Sequence, residues 1–157
     1  MEANSAYEQT IDYYNQNVKS YILRTFNIDM EKVRARFLKY MGSSGKILDA
    51  GCGSGRDALA FIEKGYEVLG FDAAEEMVKY VTNQLHIPAI KGNFQEMTFV
   101  EEFDGIWASA SLVHVPVDAL ADVFHRFWQA LKPNGIFTFS FKEGTGIKYE
   151  GRRTFIY

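Results

Sequence analysis

The chain has 157 residues, of which 47% are hydrophobic and 15% aromatic, a composition that can bury a core and argues against global disorder. The formal net charge of −3 argues against a nucleic-acid binder, because such proteins normally present a basic face. The length predicts a single domain over residues 1–157. A lone cysteine, no recognisable signal peptide and no apolar run of the roughly 18–20 residues that a membrane span needs favour a cytoplasmic protein without membrane contact.

Apolar side chains recur at helical spacing near the N-terminus, which predicts a helical unit over residues 1–41. The simpler interpretation is an amphipathic helix pair packed on the rest of the domain. The alternative is a lid over a cleft, in which Tyr13, Tyr14 and Tyr21 reach a ligand with their hydroxyl groups. A further helix is predicted over residues 30–40. Its core-facing residues are expected to be Val33, Phe37 and Tyr40.

Between residues 46 and 142, five apolar segments alternate with stretches of helical periodicity. The predicted strands cover residues 46–50, 66–71, 88–92, 103–108 and 136–141. Such alternation is typical of βαβ units with right-handed crossovers, and it predicts a Rossmann-like three-layer α/β sandwich around a mostly parallel five-stranded sheet. Ligands bind such sheets beyond the C-terminal ends of the strands, so the residues that follow each strand are the candidates for a site. Trp107 and Trp128 are expected in the core.

A glycine-rich turn follows the first strand, where Ile47-Leu48-Asp49 runs into Gly51, Gly53 and Gly55 at alternate positions. Glycine is needed where φ is positive or where a ligand approaches the backbone closely. The helix that begins behind the turn offers unpaired N–H groups, which predicts a cradle for a nucleotide-like ligand. The spacing differs from Gly-x-Gly-x-x-Gly, the arrangement that seats a pyrophosphate on a helix N-terminus.

Asp72 ends the second predicted strand, 17 residues after Gly55 (72 − 55). A carboxylate at this place can accept hydrogen bonds from both ribose hydroxyls of a nucleoside. The alternative is a purely structural role, in which Asp72 caps the helix that starts near Ala74.

In this order along the chain, five segments resemble the motifs of class I S-adenosylmethionine-dependent methyltransferases, in particular the small tellurite-resistance and ubiquinone-biosynthesis-like type. These segments are Ile47–Gly55, Val68–Asp72, Gly92–Phe94, Phe103–Ala108 and Leu131–Ile136. The resemblance covers about Tyr13 to Phe141. It implies a sheet of strand order 3-2-1-4-5, S-adenosylmethionine as cofactor, S-adenosylhomocysteine as product, and methyl transfer as the chemistry.

The resemblance also implies roles for the residues around the turn. The backbone at Gly51 and Gly53 is expected to approach the methionine part of the cofactor, while Asp49 attracts its ammonium group and Asp72 holds the ribose. Arg56 is expected either to pair with the cofactor carboxylate or to be a solvated helix-start residue. The other residues expected at the cofactor are Cys52, Gly55, Ala73, Met77, Asn93, Phe94, Ala108 and Ser109. Cys52 is interpreted as a small buried residue rather than a nucleophile.

Methyl transfer needs mainly that the acceptor be held in line with the activated methyl group. A general base is required only where the acceptor carries a proton that must leave. His114, after the fourth strand, is the candidate for this base or for acceptor binding, and the alternative is a structural histidine. No His or Cys pair has metal-ligand spacing, so we expect no metal.

The family fold normally continues past the fifth strand with a helix and an antiparallel strand pair. Residues 143–157 resemble a truncated start of this continuation, so we expect the pair to be missing and the fifth strand to expose its edge, a route to a homodimer. The first hypothesis for the function is in-line methyl transfer to a small-molecule acceptor. The alternatives are a catalytically silent S-adenosylmethionine-binding module and, from another class, a nicotinamide-dinucleotide oxidoreductase domain.

Overall fold

The computed structural model describes residues 2–157, with side chains from residue 6 onward. Its helices are α1 (Glu2–Gln16), α2 (Val18–Thr25), α3 (Glu31–Met41), α4 (Arg56–Glu63), α5 (Glu75–Gln84) and α6 (Leu120–Ala130). Its strands are β1 (Lys46–Ala50), β2 (Glu67–Asp72), β3 (Ala89–Lys91), β4 (Phe103–Ala108), β5 (Leu131–Phe139), β6 (Ile147–Glu150) and β7 (Arg153–Ile156). Short 3-10 turns cover Phe94–Glu96, Leu112–His114 and Val117–Ala119.

Strands β1 to β5 form one sheet in the order β3-β2-β1-β4-β5, and each neighbouring pair is parallel. The predicted Rossmann-like sheet and its strand order are therefore confirmed. Ile47 on the central strand pairs with Val68 on one side and Gly105 on the other. Because all five strands run the same way, their C-terminal ends lie along one rim of the sheet, which positions the site.

Strand β5 lies at one edge of this sheet, and Phe139 at its end is 47% exposed. The homodimer through this edge stays a prediction. Within residues 2–157, no helix is both long enough and apolar enough to cross a membrane.

The tail is more ordered than the sequence suggested. The five-stranded sheet carries no antiparallel strand in the described part of the chain, yet β6 and β7 pair with each other as a separate antiparallel sheet. This hairpin within residues 143–157 was not predicted from the sequence, and the interpretation of these residues as a cut-short continuation of the family fold stays a prediction. The hairpin is stabilised because β7 buries Phe155 and Ile156, which are 4% and 6% exposed.

Helix α3 turns a different face to the domain from the one expected. Phe37 is buried, but Val33 and Tyr40 are 46% and 65% exposed. The buried positions are Arg34, Phe37 and Met41. Arg34 can be buried because its guanidinium donates a 2.7 Å hydrogen bond to Asp57, which pays for the desolvation of the charge.

Both tryptophans were predicted in the core, and one of them lies elsewhere. Trp107 is buried, at 1% exposure, between the rings of Phe37 and Phe61. Trp128 is 72% exposed and stacks on His125 of the same helix, so its prediction as a core residue is wrong.

Asp57, in the first turn of α4, joins three parts of the fold. Besides Arg34 from α3, it accepts hydrogen bonds from Arg56 at 2.8 Å and from the Trp107 indole of β4 at 3.1 Å. Burial alone would raise the pKa of Asp57, but the hydrogen bonds and charges of Arg56 and Arg34, with the Trp107 bond, hold it below its ordinary value. This carboxylate therefore stays ionised beneath the glycine turn.

Replacing Asp57→Ala should lower the free energy of unfolding by about 3–5 kcal/mol, because two guanidinium groups would lose their buried counter-charge. Urea unfolding measures the change. The matched control is Glu31→Ala, an exposed carboxylate that also pairs with Arg34 and should have a much smaller effect on the free energy of unfolding. Equal effects of the two substitutions would contradict this account.

Candidate functional site

The turn after β1 has the backbone geometry that its glycines predict. Gly51, Gly53 and Gly55 have φ values of +79°, +49° and +75°, in the left-handed region that side chains with a Cβ disfavour. The N–H groups of Gly51 and Cys52 donate to the carbonyl of Phe71 at 2.7 and 3.2 Å. The turn is therefore fixed to the end of the neighbouring strand β2.

Two side chains pack directly against this turn. A Cβ added at Gly51 would lie 2.2 Å from Cβ of Ser111, whose hydroxyl donates to the Ala50 carbonyl at 2.7 Å. A Cβ at Gly53 would lie 3.2 Å from the ring of Tyr21. Glycine is thus required both for the backbone conformation and for the close approach of the helix that carries Tyr21.

Asp72 lies beside the turn, where its carboxylate is half-buried. It accepts hydrogen bonds from the N–H groups of Gly53 and Ala74, both at 2.9 Å. Burial raises the pKa of Asp72, and these two backbone donors oppose the shift. Each carboxylate oxygen accepts one of these bonds and keeps a further lone pair for a ligand.

A cleft of about 630 Å³, including its open mouth, lies between the strand ends and the N-terminal helices. Ligand pockets typically have this size. Its lining residues are Tyr7, Thr10, Ile11, Tyr14, Tyr21, Gly51, Gly53, Asp72, Ala73, Ala74, Met77, Gly92, Phe94, Ser109, Ala110, Ser111 and His114.

Most of the residues selected from the sequence meet at this cleft. Those that line it are Gly51, Gly53, Asp72, Ala73, Met77, Phe94, Ser109, Tyr14, Tyr21 and His114. Those that lie outside its lining are Asp49, Cys52, Gly55, Arg56, Asn93, Ala108 and Tyr13. The Tyr13 ring lies under the guanidinium of Arg153, 4.7 Å from its centroid, so Tyr13 contacts the hairpin and not the cleft.

Several lining residues were missed. They are Tyr7, Thr10, Ile11, Ala74, Gly92, Ala110 and Ser111. Tyr7, Ile11 and Tyr14 recur every three or four residues, so the helical spacing could have placed them on one face of α1. Ala74, Gly92, Ala110 and Ser111 follow the C-terminal ends of β2, β3 and β4, where parallel sheets bind their ligands.

Arg56 is held away from the cleft by two partners. Its guanidinium donates to Asp57 and, at 3.2 Å, to the carbonyl of Thr25 at the end of α2. Its side chain is partly buried and does not line the cleft, so its pairing with the cofactor carboxylate stays a prediction. Arg56 connects the start of α4 to the helix whose Tyr21 covers Gly53.

Asp49 is buried beneath the turn, at 3% exposure, and its Oδ2 atom has no hydrogen-bond partner among the described residues. Burial raises the pKa of Asp49 well above its ordinary value, and the neighbouring carboxylates Asp57 and Asp72 raise it further. Cys52 is also buried, and burial raises the pKa of its thiol, which is the opposite of what a nucleophile needs.

His114 and Tyr14 form a hydrogen-bonded pair in the wall of the cleft. Nδ1 of His114 lies 2.7 Å from the carbonyl oxygen of Thr154. A carbonyl can only accept, so Nδ1 carries the proton and Nε2 accepts from the Tyr14 hydroxyl at 2.9 Å. Burial lowers the pKa of His114 to about 4, so the imidazole is neutral near pH 7.

Among the side chains that the structure describes, from residue 6 onward, no three of His, Cys, Asp or Glu come together as a metal site would require. The cleft combines a glycine turn, an aspartate beside it and a neutral Tyr–His pair.

Residues 47–135 match the model of the methyltransferase domain, which is more than half of the chain. The chain belongs to the methyltransferase domain family. The resemblance inferred from the motifs is thereby confirmed. A relative among curated proteins is the putative methyltransferase YqeM of Bacillus subtilis, 32% identical over 103 residues, which are 60% of this chain and 41% of YqeM. The chain spans about half the length of the curated relatives it matches.

Solved structures of other proteins show the same fold. The 1,6-didemethyltoxoflavin-N1-methyltransferase of Burkholderia thailandensis, with 1,6-didemethyltoxoflavin and S-adenosylhomocysteine bound, is 25% identical and superposes with a TM-score of 0.73. The match covers 91% of this chain and 68% of that one. The PH0226 protein of Pyrococcus horikoshii is 29% identical, with a TM-score of 0.60 over 73% of this chain and 61% of its own.

In this methyltransferase domain, Gly51→Ala should lower the free energy of unfolding by about 2–5 kcal/mol, from the positive φ and the contact with Ser111 together. The matched control is Gly65→Ala, at φ +91° with nothing within 4 Å, which should cost about 1–2 kcal/mol from backbone strain alone. Thermal or urea unfolding of both variants measures the difference. A Gly51→Ala variant no less stable than Gly65→Ala would contradict the packing described for Ser111.

Proposed function

We propose that this chain is an S-adenosylmethionine-dependent methyltransferase that acts on a small, uncharged acceptor bearing an O–H or N–H group. The observation that carries the proposal is the geometry of one cleft. One wall is the positive-φ glycine turn with Asp72 fixed at Gly53, and the other is the Tyr14–His114 pair. The first wall suits an amino-acid-bearing nucleoside, and the second suits an acceptor that must lose a proton.

The residues on the cofactor side fit S-adenosylmethionine. The free lone pairs of Asp72 suit the two ribose hydroxyls. An ammonium group would favour the ionised form of Asp49, whose Oδ2 atom has no partner among the described residues. Met77 and Phe94 supply apolar walls for the adenine. The remaining residues predicted for cofactor binding, among them Asn93, lie outside the lining of the cleft. The S-adenosylhomocysteine bound in the Burkholderia relative agrees with this choice of cofactor.

The acceptor side offers polar groups that stay neutral. Burial raises the pKa of Tyr7 to about 12, and burial also raises the pKa values of Tyr14 and Tyr21. The imidazole of His114 is neutral as well. Among the described lining residues there is no Lys or Arg, so an anionic acceptor would find no counter-charge in the lining. The Burkholderia relative is named for methylation of a small molecule, which supports this acceptor class.

When bound, the cofactor supplies a methyl group on a positively charged sulfur. The chain contributes position and a path for the acceptor's proton. Tyr14 takes that proton on its hydroxyl oxygen while its own proton moves to Nε2 of His114. A methyl group would thus replace the acceptor's proton, and Nε2 of His114 would carry a proton and its positive charge at the end of the path.

Tyr14→Phe removes the first proton acceptor and should slow methyl transfer by about 10²–10⁴-fold, the usual contribution of general base catalysis. The measurement uses S-adenosylmethionine with a labelled methyl group and a panel of neutral phenols and N–H heterocycles, with carboxylic acids and alkylamines as charged comparators. Labelled product and S-adenosylhomocysteine are both quantified. Tyr40→Phe, on the exposed face of α3, is the matched control and should keep the wild-type rate.

Transfer to charged acceptors in preference to neutral ones would contradict the proposed acceptor class. Cofactor binding without transfer to any member of the panel would favour the alternative of a catalytically silent module. A Tyr14→Phe rate equal to that of Tyr40→Phe would remove Tyr14 from the proton path.

A further inference from the structure

One residue of the C-terminal hairpin, Thr154, forms hydrogen bonds both to α1 and to His114. The N–H group of Thr154 donates to the hydroxyl oxygen of Thr10 on α1 at 3.0 Å. The carbonyl of Thr154 accepts from Nδ1 of His114 at 2.7 Å. Thr10 is itself buried, and its hydroxyl donates to the carbonyl of Ala6 at 3.1 Å, so its orientation is fixed within the helix. Thr154 thus holds its carbonyl at a defined place against the imidazole.

This contact decides which nitrogen of His114 is free. A neutral imidazole can carry its proton on either nitrogen, and the partner of one nitrogen sets the state of the other. The Thr154 carbonyl requires the proton on Nδ1. Nε2 is then the acceptor that faces Tyr14, which is the state the proposed proton path needs. With the proton on Nε2 instead, His114 would have no lone pair to offer Tyr14.

The hairpin also shields the imidazole of His114 from water and favours its neutral form. The ring of Phe155 lies 4.7 Å from the imidazole, centroid to centroid, and is almost fully buried. Burial lowers the pKa of His114, the Thr154 hydrogen bond opposes this shift, and the positive charges of Arg153 and Lys142 lower it further. From α1, the Tyr14 hydroxyl faces the imidazole. The groups around His114 are therefore either uncharged, as Tyr14 and Phe155 are, or cationic, as Arg153 and Lys142 are.

We propose that the hairpin β6–β7 is a positioning element of the catalytic site, in which the Thr154 carbonyl selects the tautomer of His114 that can receive a proton. This inference rests on the proposed function, because it concerns the proton path of the same cleft. Thr154 does not line the cleft and acts through His114.

The test is nitrogen-15 NMR of the His114 ring in the full chain, which reports both the tautomer and the protonation midpoint without any ligand. The wild-type protein should show the proton on Nδ1 and a midpoint near 4. Thr10→Val removes the oxygen that holds the Thr154 N–H group and should produce a mixture of tautomers. Phe155→Ala opens the ring to water and should move the midpoint upward, toward 6.5.

Ile147→Ala, an exposed residue of the same hairpin, is the matched control and should change neither quantity. A wild-type ring protonated on Nε2, or unchanged tautomer and midpoint in both Thr10→Val and Phe155→Ala, would overturn the inference. Calorimetry with S-adenosylhomocysteine separates the two proposals. Phe155→Ala should bind it as the wild type does, whereas no binding to the wild type would contradict the proposed function and leave the NMR result standing.

Discussion

The site depends on the hydrogen bonds that fix the glycine turn to the end of β2. The Phe71 carbonyl accepts from Gly51 and Cys52, and the Asp72 carboxylate accepts from Gly53. A turn with three positive φ values has little intrinsic stability, because glycine loses more conformational freedom on folding than other residues. These bonds make one backbone conformation stable and at the same time place a carboxylate beside it. Fold and binding site are therefore produced by the same contacts.

The N-terminal helices and the C-terminal hairpin complete the cleft by packing on this rigid base. Arg56 connects the start of α4 to the carbonyl of Thr25, while Tyr21 lies against Gly53. The hairpin contacts α1 and His114 through Thr154. The result is a cleft that combines the glycine turn and Asp72 with tyrosines of α1 and α2 and the neutral His114.

The sheet and the turn were predictable because their signals are local. Alternating strands and helices fix a parallel sheet, and the spacing of Gly51, Gly53 and Asp72 places all three at the same rim. Of the thirteen residues predicted to contact the cofactor, however, seven line the cleft and six do not. The spacing of residues in the sequence does not show in which direction a side chain points. Arg56 is the clearest case, since its direction depends on the buried charge of Asp57.

Contacts between residues that lie far apart in the sequence could not be predicted from it. Tyr14 and His114 are 100 positions apart and meet only in the folded protein. The orientation of α3 follows from the burial of Arg34, a charged residue that a hydrophobic pattern assigns to the surface. The hairpin was missed because its strands have four residues each and become stable only against α1 and the turn that carries His114.

The central claim is that the glycine turn and Asp72 together hold the ribose of S-adenosylmethionine. Isothermal calorimetry of S-adenosylhomocysteine with wild type and Asp72→Ala tests it most directly, with Glu76→Ala on the exposed side of α5 as the control. Loss of the hydrogen bonds to the ribose should cost about 1–3 kcal/mol, a weakening of about 5- to 150-fold, while Glu76→Ala binds as the wild type. Unchanged affinity in Asp72→Ala, or a wild-type protein that binds a nicotinamide dinucleotide and not S-adenosylhomocysteine, would contradict the account.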